Sequence, residues 1–155
     1  MKVKRIIALV LVSLMTVVLL TGCANISKAK YLGHEDITFE KAVKRNMDKI
    51  KSELEKENDG AKVTYKAEWK KGWSGEKAPD KSVLDRNEKP MTYVITLTGK
   101  EDGETHTGRI AFYMVHDTKE NTLSTRGGYN EEDGDRYYMT ASEAKAEIEA
   151  LYIIN

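Results

Sequence analysis

Apolar residues recur along the chain with two periods, and the change between them maps the elements. Phe39, Val43, Met47, Ile50 and Leu54 recur at steps of four, four, three and four, with Ala42 beside them. That spacing predicts one buried face of a helix. Thr38 is placed as its N-cap. Ile37 can reach Ala42 as a hydrophobic staple. Asn58-Asp59-Gly60 supplies the left-handed residues that end it. The period then falls to two. Val63, Tyr65, Ala67 and Trp69 alternate with Thr64, Lys66, Glu68 and Lys70, which predicts a half-buried strand. A second strand is predicted over Met91 to Leu97, with Tyr93, Ile95 and Leu97 on one face and Thr92, Val94 and Thr96 on the other. Thr105 to Val115 is the third. Its apolar residues lie on both faces, Ile110, Phe112 and Met114 against Ala111, Tyr113 and Val115, so a central position is expected. Asp102-Gly103 between these two strands suits a tight hairpin turn. Asp117 to Asn121 reads as a polar turn and Thr122 to Arg126 as a short fourth strand. Thr140-Ala141-Ser142-Glu143 has the form of a capping box and opens a helix carrying Ala144, Ile148 and Leu151.

Residues 1–22 follow another pattern. Lys2, Lys4 and Arg5 precede an apolar run from Ile6 to Leu20 that only Ser13 and Thr16 interrupt. A basic start, an apolar middle and small residues before a cut site make a secretory signal peptide. Its ending, Leu20-Thr21-Gly22-Cys23, resembles the lipobox of bacterial lipoproteins. The resemblance implies cleavage before Cys23, a diacylglycerol thioether on its sulfur, and often a further acyl chain such as palmitate on the new N-terminus. It places the protein in a bacterial cell envelope, on the outer face of the cytoplasmic membrane or on the outer membrane where there is one. An uncleaved membrane anchor and an ordinary signal peptide are the alternatives. Residues 24–36 are polar and lack periodicity, and read as a short tether. Residues 37–155 then form a single domain.

A helix followed by grouped strands, with no helix between each pair, argues an α+β fold. The expected form is an N-terminal helix packed on a curved four-stranded antiparallel sheet, with a short C-terminal helix. This element order is similar to cystatin-like folds, which several small bacterial lipoproteins share. Removing residues 1–22 takes away three of the 25 basic residues and none of the 25 acidic ones, leaving a net charge of −3. Nucleic-acid binding proteins usually show a strongly basic face, so no nucleic-acid partner is expected. Cys23 is the single cysteine, so stability must come from the core rather than from disulfides.

Little catalytic chemistry is written in the chain. His106 and His116 stand ten residues apart on one predicted strand, ~33 Å at about 3.3 Å per residue, too far to share a metal ion. Asn130-Glu131-Glu132-Asp133-Gly134-Asp135 has the look of a calcium loop, but aligning Gly134 with the loop's glycine puts Tyr129 at the first ligand position. A solvated acidic turn is the expected reading. No cofactor or metal is implied. The segment from Gly72 to Pro90 is long for a structureless loop, and such loops are often functional. With Trp69, Lys70 and Lys71, its Trp73 makes an aromatic and basic corner, and these four residues are the candidate binding site. The same loop can instead fold back as a lid, burying Trp73 and Val83-Leu84 on the sheet. Two functions remain. One is a binding or interaction lipoprotein with a protein or envelope partner, in an accessory, immunity, exclusion or envelope-associated role. The other is a small envelope hydrolase using paired carboxylates.

Overall fold

The computed structural model describes residues 25–153; the signal segment and Cys23 lie outside them. The α+β fold is as expected. Among the described residues six strands form one curled sheet: β1 (Lys30–Tyr31), β2 (Lys62–Lys71), β3 (Glu88–Glu101), β4 (Glu104–Asp117), β5 (Thr122–Glu132) and β6 (Asp135–Met139). Their order is β1-β5-β4-β3-β2, with β6 paired to the far end of β5. Two helices, α1 (Phe39–Glu57) and α2 (Ala141–Tyr152), cover one face, α1 over β2 and α2 over β5.

Local chemistry explains the element ends. The Thr38 hydroxyl accepts from the Lys41 amide at 3.3 Å and caps α1. Thr140 and Glu143 complete the capping box of α2, each accepting from the other's backbone amide. Asp102 and Gly103 turn β3 into β4 with φ of 49° and 82°. Asp133 and Gly134 do the same between β5 and β6 with φ of 48° and 92°. Two consecutive residues with positive φ match the right-handed twist of the flanking strands, which is why Asp-Gly recurs in hairpins.

The core lies between the helices and the sheet. Phe39, Val43, Met47 and Leu54 of α1 meet Val63, Tyr65, Trp69, Tyr93, Ile95, Leu97, Ile110, Phe112 and Met114. Phe39 stands edge-on to Tyr93 with ring centroids 5.0 Å apart. β4 is central, between β3 and β5, as its two-sided apolarity required.

Three features differ from the sequence expectation. The sheet has two more strands and is mixed, because β1 runs parallel to β5 through Lys30↔Thr122 and Tyr31↔Leu123. The stretch read as a tether is not free chain over residues 25–36: Ile26, Ala29 and Tyr31 are buried in the core. Three apolar residues without a period give no sequence signal, yet they suffice to close the end of the sheet beside α2. His34 follows them, stacked on Tyr152 at 4.1 Å and paired with the Glu149 carboxylate. The fourth strand also runs on to Glu132, so Asn130 to Glu132 are strand and not turn. Arg109 and Arg136 flank Glu131 on the neighbouring strands and neutralise the charge that made this stretch read as solvated loop.

Candidate functional site

The aromatic and basic corner proposed from sequence does not form one surface. Side chains alternate across a strand, so Trp69 and Lys70 leave β2 on opposite faces. Trp69 points to the helices, buried, with its Nε1 donating to Glu40 Oε1 at 2.8 Å. Gly72, at a φ of 74°, then turns the chain across the sheet. Trp73 is buried on the face away from the helices, only 4% exposed, packed with Tyr113, Val115, Ala78 and Leu84. Its Nε1 donates to the carbonyls of Met91 and Met114 at 3.1 and 2.9 Å. Val83 stays 70% exposed, so only Leu84 of that pair folds back. The loop is thus a lid, held also by Thr92 Oγ1 donating to Gly72 O and Tyr113 OH donating to Ser74 O. Lys71 pairs with Met91, whose side chain lies on the helix side. Of the four candidates, Lys70 alone faces open ground beside the lid.

That ground is a depression of about 410 Å³ lined by Lys66, Glu68, Lys70, Val94, Thr96, Arg109, Tyr129 and Arg136. Its layout follows from register. Lys66 pairs with Thr96, Thr96 with Arg109, Arg109 with Glu131 and Glu131 with Arg136. One charged row therefore crosses five strands. The next row on the same face reads Glu68, Val94, Ala111, Tyr129 and Tyr138. Its central residues are short and its outer ones long, which hollows the middle. The lid borders the far side, where a side chain at Gly75 would come 3.7 Å from Arg136 Nη1.

The arginines are fixed before any ligand arrives. Glu131 Oε2 accepts from Arg136 Nε and Nη2 at 3.0 and 2.8 Å, and Oε1 accepts from Arg109 Nη1 at 2.8 Å. The Arg136 guanidinium also lies over the Tyr129 ring, 3.9 Å from its centroid. Lys66 pairs with Glu68 at 3.2 Å. Lys70 has no ion pair among the described residues. Four cations face two carboxylates, so the depression carries two excess positive charges although the processed chain would be negative overall. Lys77 adds a cation at the β6 end, its Nζ 5.5 Å from the Tyr138 ring.

Hydrogen bonds from Arg136 and then Arg109 hold the Glu131 carboxyl below the usual carboxylate range, against the opposing effect of burial. A carboxyl depressed in the folded state stabilises the fold above its unfolded pKa of about 4.3 and loses that contribution as pH falls through the lower folded value. Glu131→Gln should therefore be less stable than the parent at neutral pH, and the gap should close as pH falls below about 4. Urea denaturation at a series of pH values reads this; a gap constant with pH would contradict it.

The histidines are far apart in role. His34 pairs with Glu149, His106 with Glu104, and His116 is buried with Nε2 2.8 Å from Asn121 Oδ1. No group of three or more metal-ligating side chains converges among the described residues. Arg109 and Arg136 were missed in the sequence, where Tyr129 and Glu131 entered only through the acidic stretch. Only the register of four strand pairings joins them to Lys66 and Lys70. No protein family, curated protein or solved structure matches the chain.

Proposed function

We propose that this is a lipid-anchored extracytoplasmic lipoprotein whose folded domain is a binding module, with the depression around the charged row as its recognition surface. The anchoring rests on the basic start, the apolar run and Leu20-Thr21-Gly22-Cys23. Two acyl chains suffice for stable attachment, and a diacylglycerol at Cys23 supplies both. Among the described residues no helix is long and apolar enough to cross a membrane.

The observation that carries the binding reading is the Arg109–Glu131–Arg136 triad facing the unpaired Lys70 across a hollow of small residues. Fixed donors lose little freedom on meeting a partner, which is how preorganisation raises affinity. The hydrolase reading needs a carboxyl held protonated near neutral pH. Among the described residues, the three carboxyls that depart from the usual range all go the other way. Burial opposes the shift at Asp48, but bonds from Lys44 and Tyr65 outweigh it; Ser82 lowers Asp80, and the two arginines lower Glu131. The site's geometry therefore favours binding.

Mass spectrometry of the membrane fraction should find a lipid-modified N-terminal Cys23, and Cys23→Ala should leave the protein unprocessed or released. An intact Met1 terminus on the mature protein would defeat the anchoring claim. Gentle crosslinking of the lipidated protein should capture a partner that Lys66→Glu/Lys70→Glu loses while its melting curve is unchanged. Capture that is indifferent to both charges would place recognition elsewhere.

A further inference from the structure

We infer that the depression binds a soluble phosphate monoester, the phosphate seated among Lys66, Lys70, Arg109 and Arg136. The inference deepens the binding-module reading and rests on it. Charge comes first. Four lining cations against Glu68 and Glu131 leave an excess of two, with Lys77 a further cation at the β6 end, which suits the charge of about −1.5 to −2 on a phosphomonoester at neutral pH. A carboxylate or a diester brings one charge and leaves the site unbalanced.

Donor geometry comes second. Arg136 commits Nε and Nη2 to Glu131, and Arg109 commits Nη1. Arg136 also donates to the Tyr138 hydroxyl, so the donors that remain are the Arg109 Nε and Nη2 groups and the Lys70 ammonium. These are enough N–H donors for an anion with three terminal oxygens, and charge-assisted bonds of this kind are the strong ones. Glu131 and the Tyr129 ring keep the Arg136 fork from wandering.

Size and place select the source of the phosphate. A volume of about 410 Å³ lies in the range of small-molecule sites, roughly 300–1,000 Å³, and leaves room for a group of sugar or glycerol size beside the phosphate. Among the described residues the large exposed apolar side chains, Leu32, Val83, Tyr137 and Ile153, all lie outside the lining, which offers acyl chains no apolar rim there. Asn25, two residues after Cys23, is tied to the β4–β5 turn by Asn121 Nδ2 donating to its carbonyl at 3.0 Å. Arg109 lies eight residues along β4 from Asp117 at that turn, ~26 Å at about 3.3 Å per residue. The charged row through Arg109 is therefore set well away from Asn25, while Lys70, in register with Tyr113, stands four residues from that end, ~13 Å at about 3.3 Å per residue.

Calorimetric titration of the lipidated mature chain in an uncharged detergent tests this with inorganic phosphate, glycerol 3-phosphate and phosphatidylglycerol in mixed micelles of the same detergent. Both soluble phosphates should bind. Lys70→Gln should weaken glycerol 3-phosphate by about 10-fold or more, the loss of one charge-assisted bond, and Arg136→Lys should weaken it too. Lys71→Gln, one residue away on the opposite face, should change it less than about 2-fold. Because Lys70 has no ion pair to lose, a fall in affinity with an unchanged melt reports the site rather than the fold. No binding of either soluble phosphate, equal weakening by the Lys70 and Lys71 changes, or binding to the phosphatidylglycerol micelles alone would each overturn the assignment. Failure here with partner capture still dependent on Lys66 and Lys70 would leave the binding surface standing and refute only the phosphate.

Discussion

Replacing Trp73 with alanine should cost the domain ~3–5 kcal/mol, the range for emptying a buried large aromatic site. That is a large share of the 5–15 kcal/mol typical of a whole domain. Three losses combine. The indole leaves a void against Tyr113, Val115 and Leu84. The carbonyls of Met91 and Met114 lose a shared donor. The loop from Gly72 onward loses its anchor, and with it the wall that brings Gly75 beside Tyr113 OH and Arg136. Trp73→Phe keeps most of the volume and loses the donor, so it should cost only ~1–2 kcal/mol. Urea denaturation of the two variants checks the ranking. If Trp73→Ala melts like the parent but binds its partner poorly, the residue is a recognition side chain and the lid account fails.

Gly128→Ala should be comparably damaging for a different reason. Gly128 pairs with Phe112 near the middle of the β4–β5 ladder. A Cβ built there would stand 2.1 Å from the Ala111 carbonyl oxygen and 3.0 Å from Met139 Cε. The methionine can swing aside; the strand backbone cannot. β4 and β5 must part where the core is densest, so a cost of ~3 kcal/mol or more is expected, at the upper end for overpacking. The damage should also be local. Amide exchange should rise at Ala111 and Phe112 before it rises in α1. A variant within ~1 kcal/mol of the parent would show that the two strands have slack that their close approach conceals.

The reach of the sequence can be judged from particular residues. Phe39 to Leu54 declared their helix because a 3.6-residue period repeats across five apolar positions, and α1 buries four of them, with Ile50 only half-buried. Ile110, Phe112 and Met114 declared the core face of β4 by alternation, and Asp102-Gly103 its hairpin. β6 was hidden. Its five residues include Arg136 and an exposed Tyr137, 63% accessible, so no apolar alternation marks it. The buried trio Ile26, Ala29 and Tyr31 was hidden because a helical turn of three residues and a strand of two have no period. Lys70 was legible as a candidate, but its companions were not. Lys66, Arg109 and Arg136 are scattered over seventy residues and meet only because four strand pairings align them. The two tryptophans illustrate the converse: four residues apart in sequence, they lie on opposite faces of the sheet because Gly72 turns the chain between them.

Photo-crosslinking in native membranes tests the central claim most directly. A crosslinkable residue is placed at position 96, in the floor of the depression between Lys66 and Arg109, and in a second protein at position 71. Position 71 is exposed and lies on the opposite side of the sheet. If the charged depression is the recognition surface, position 96 should yield a discrete adduct that added glycerol 3-phosphate suppresses, and position 71 should yield none. Equal adducts from both positions, or an adduct from position 71 alone, would contradict it.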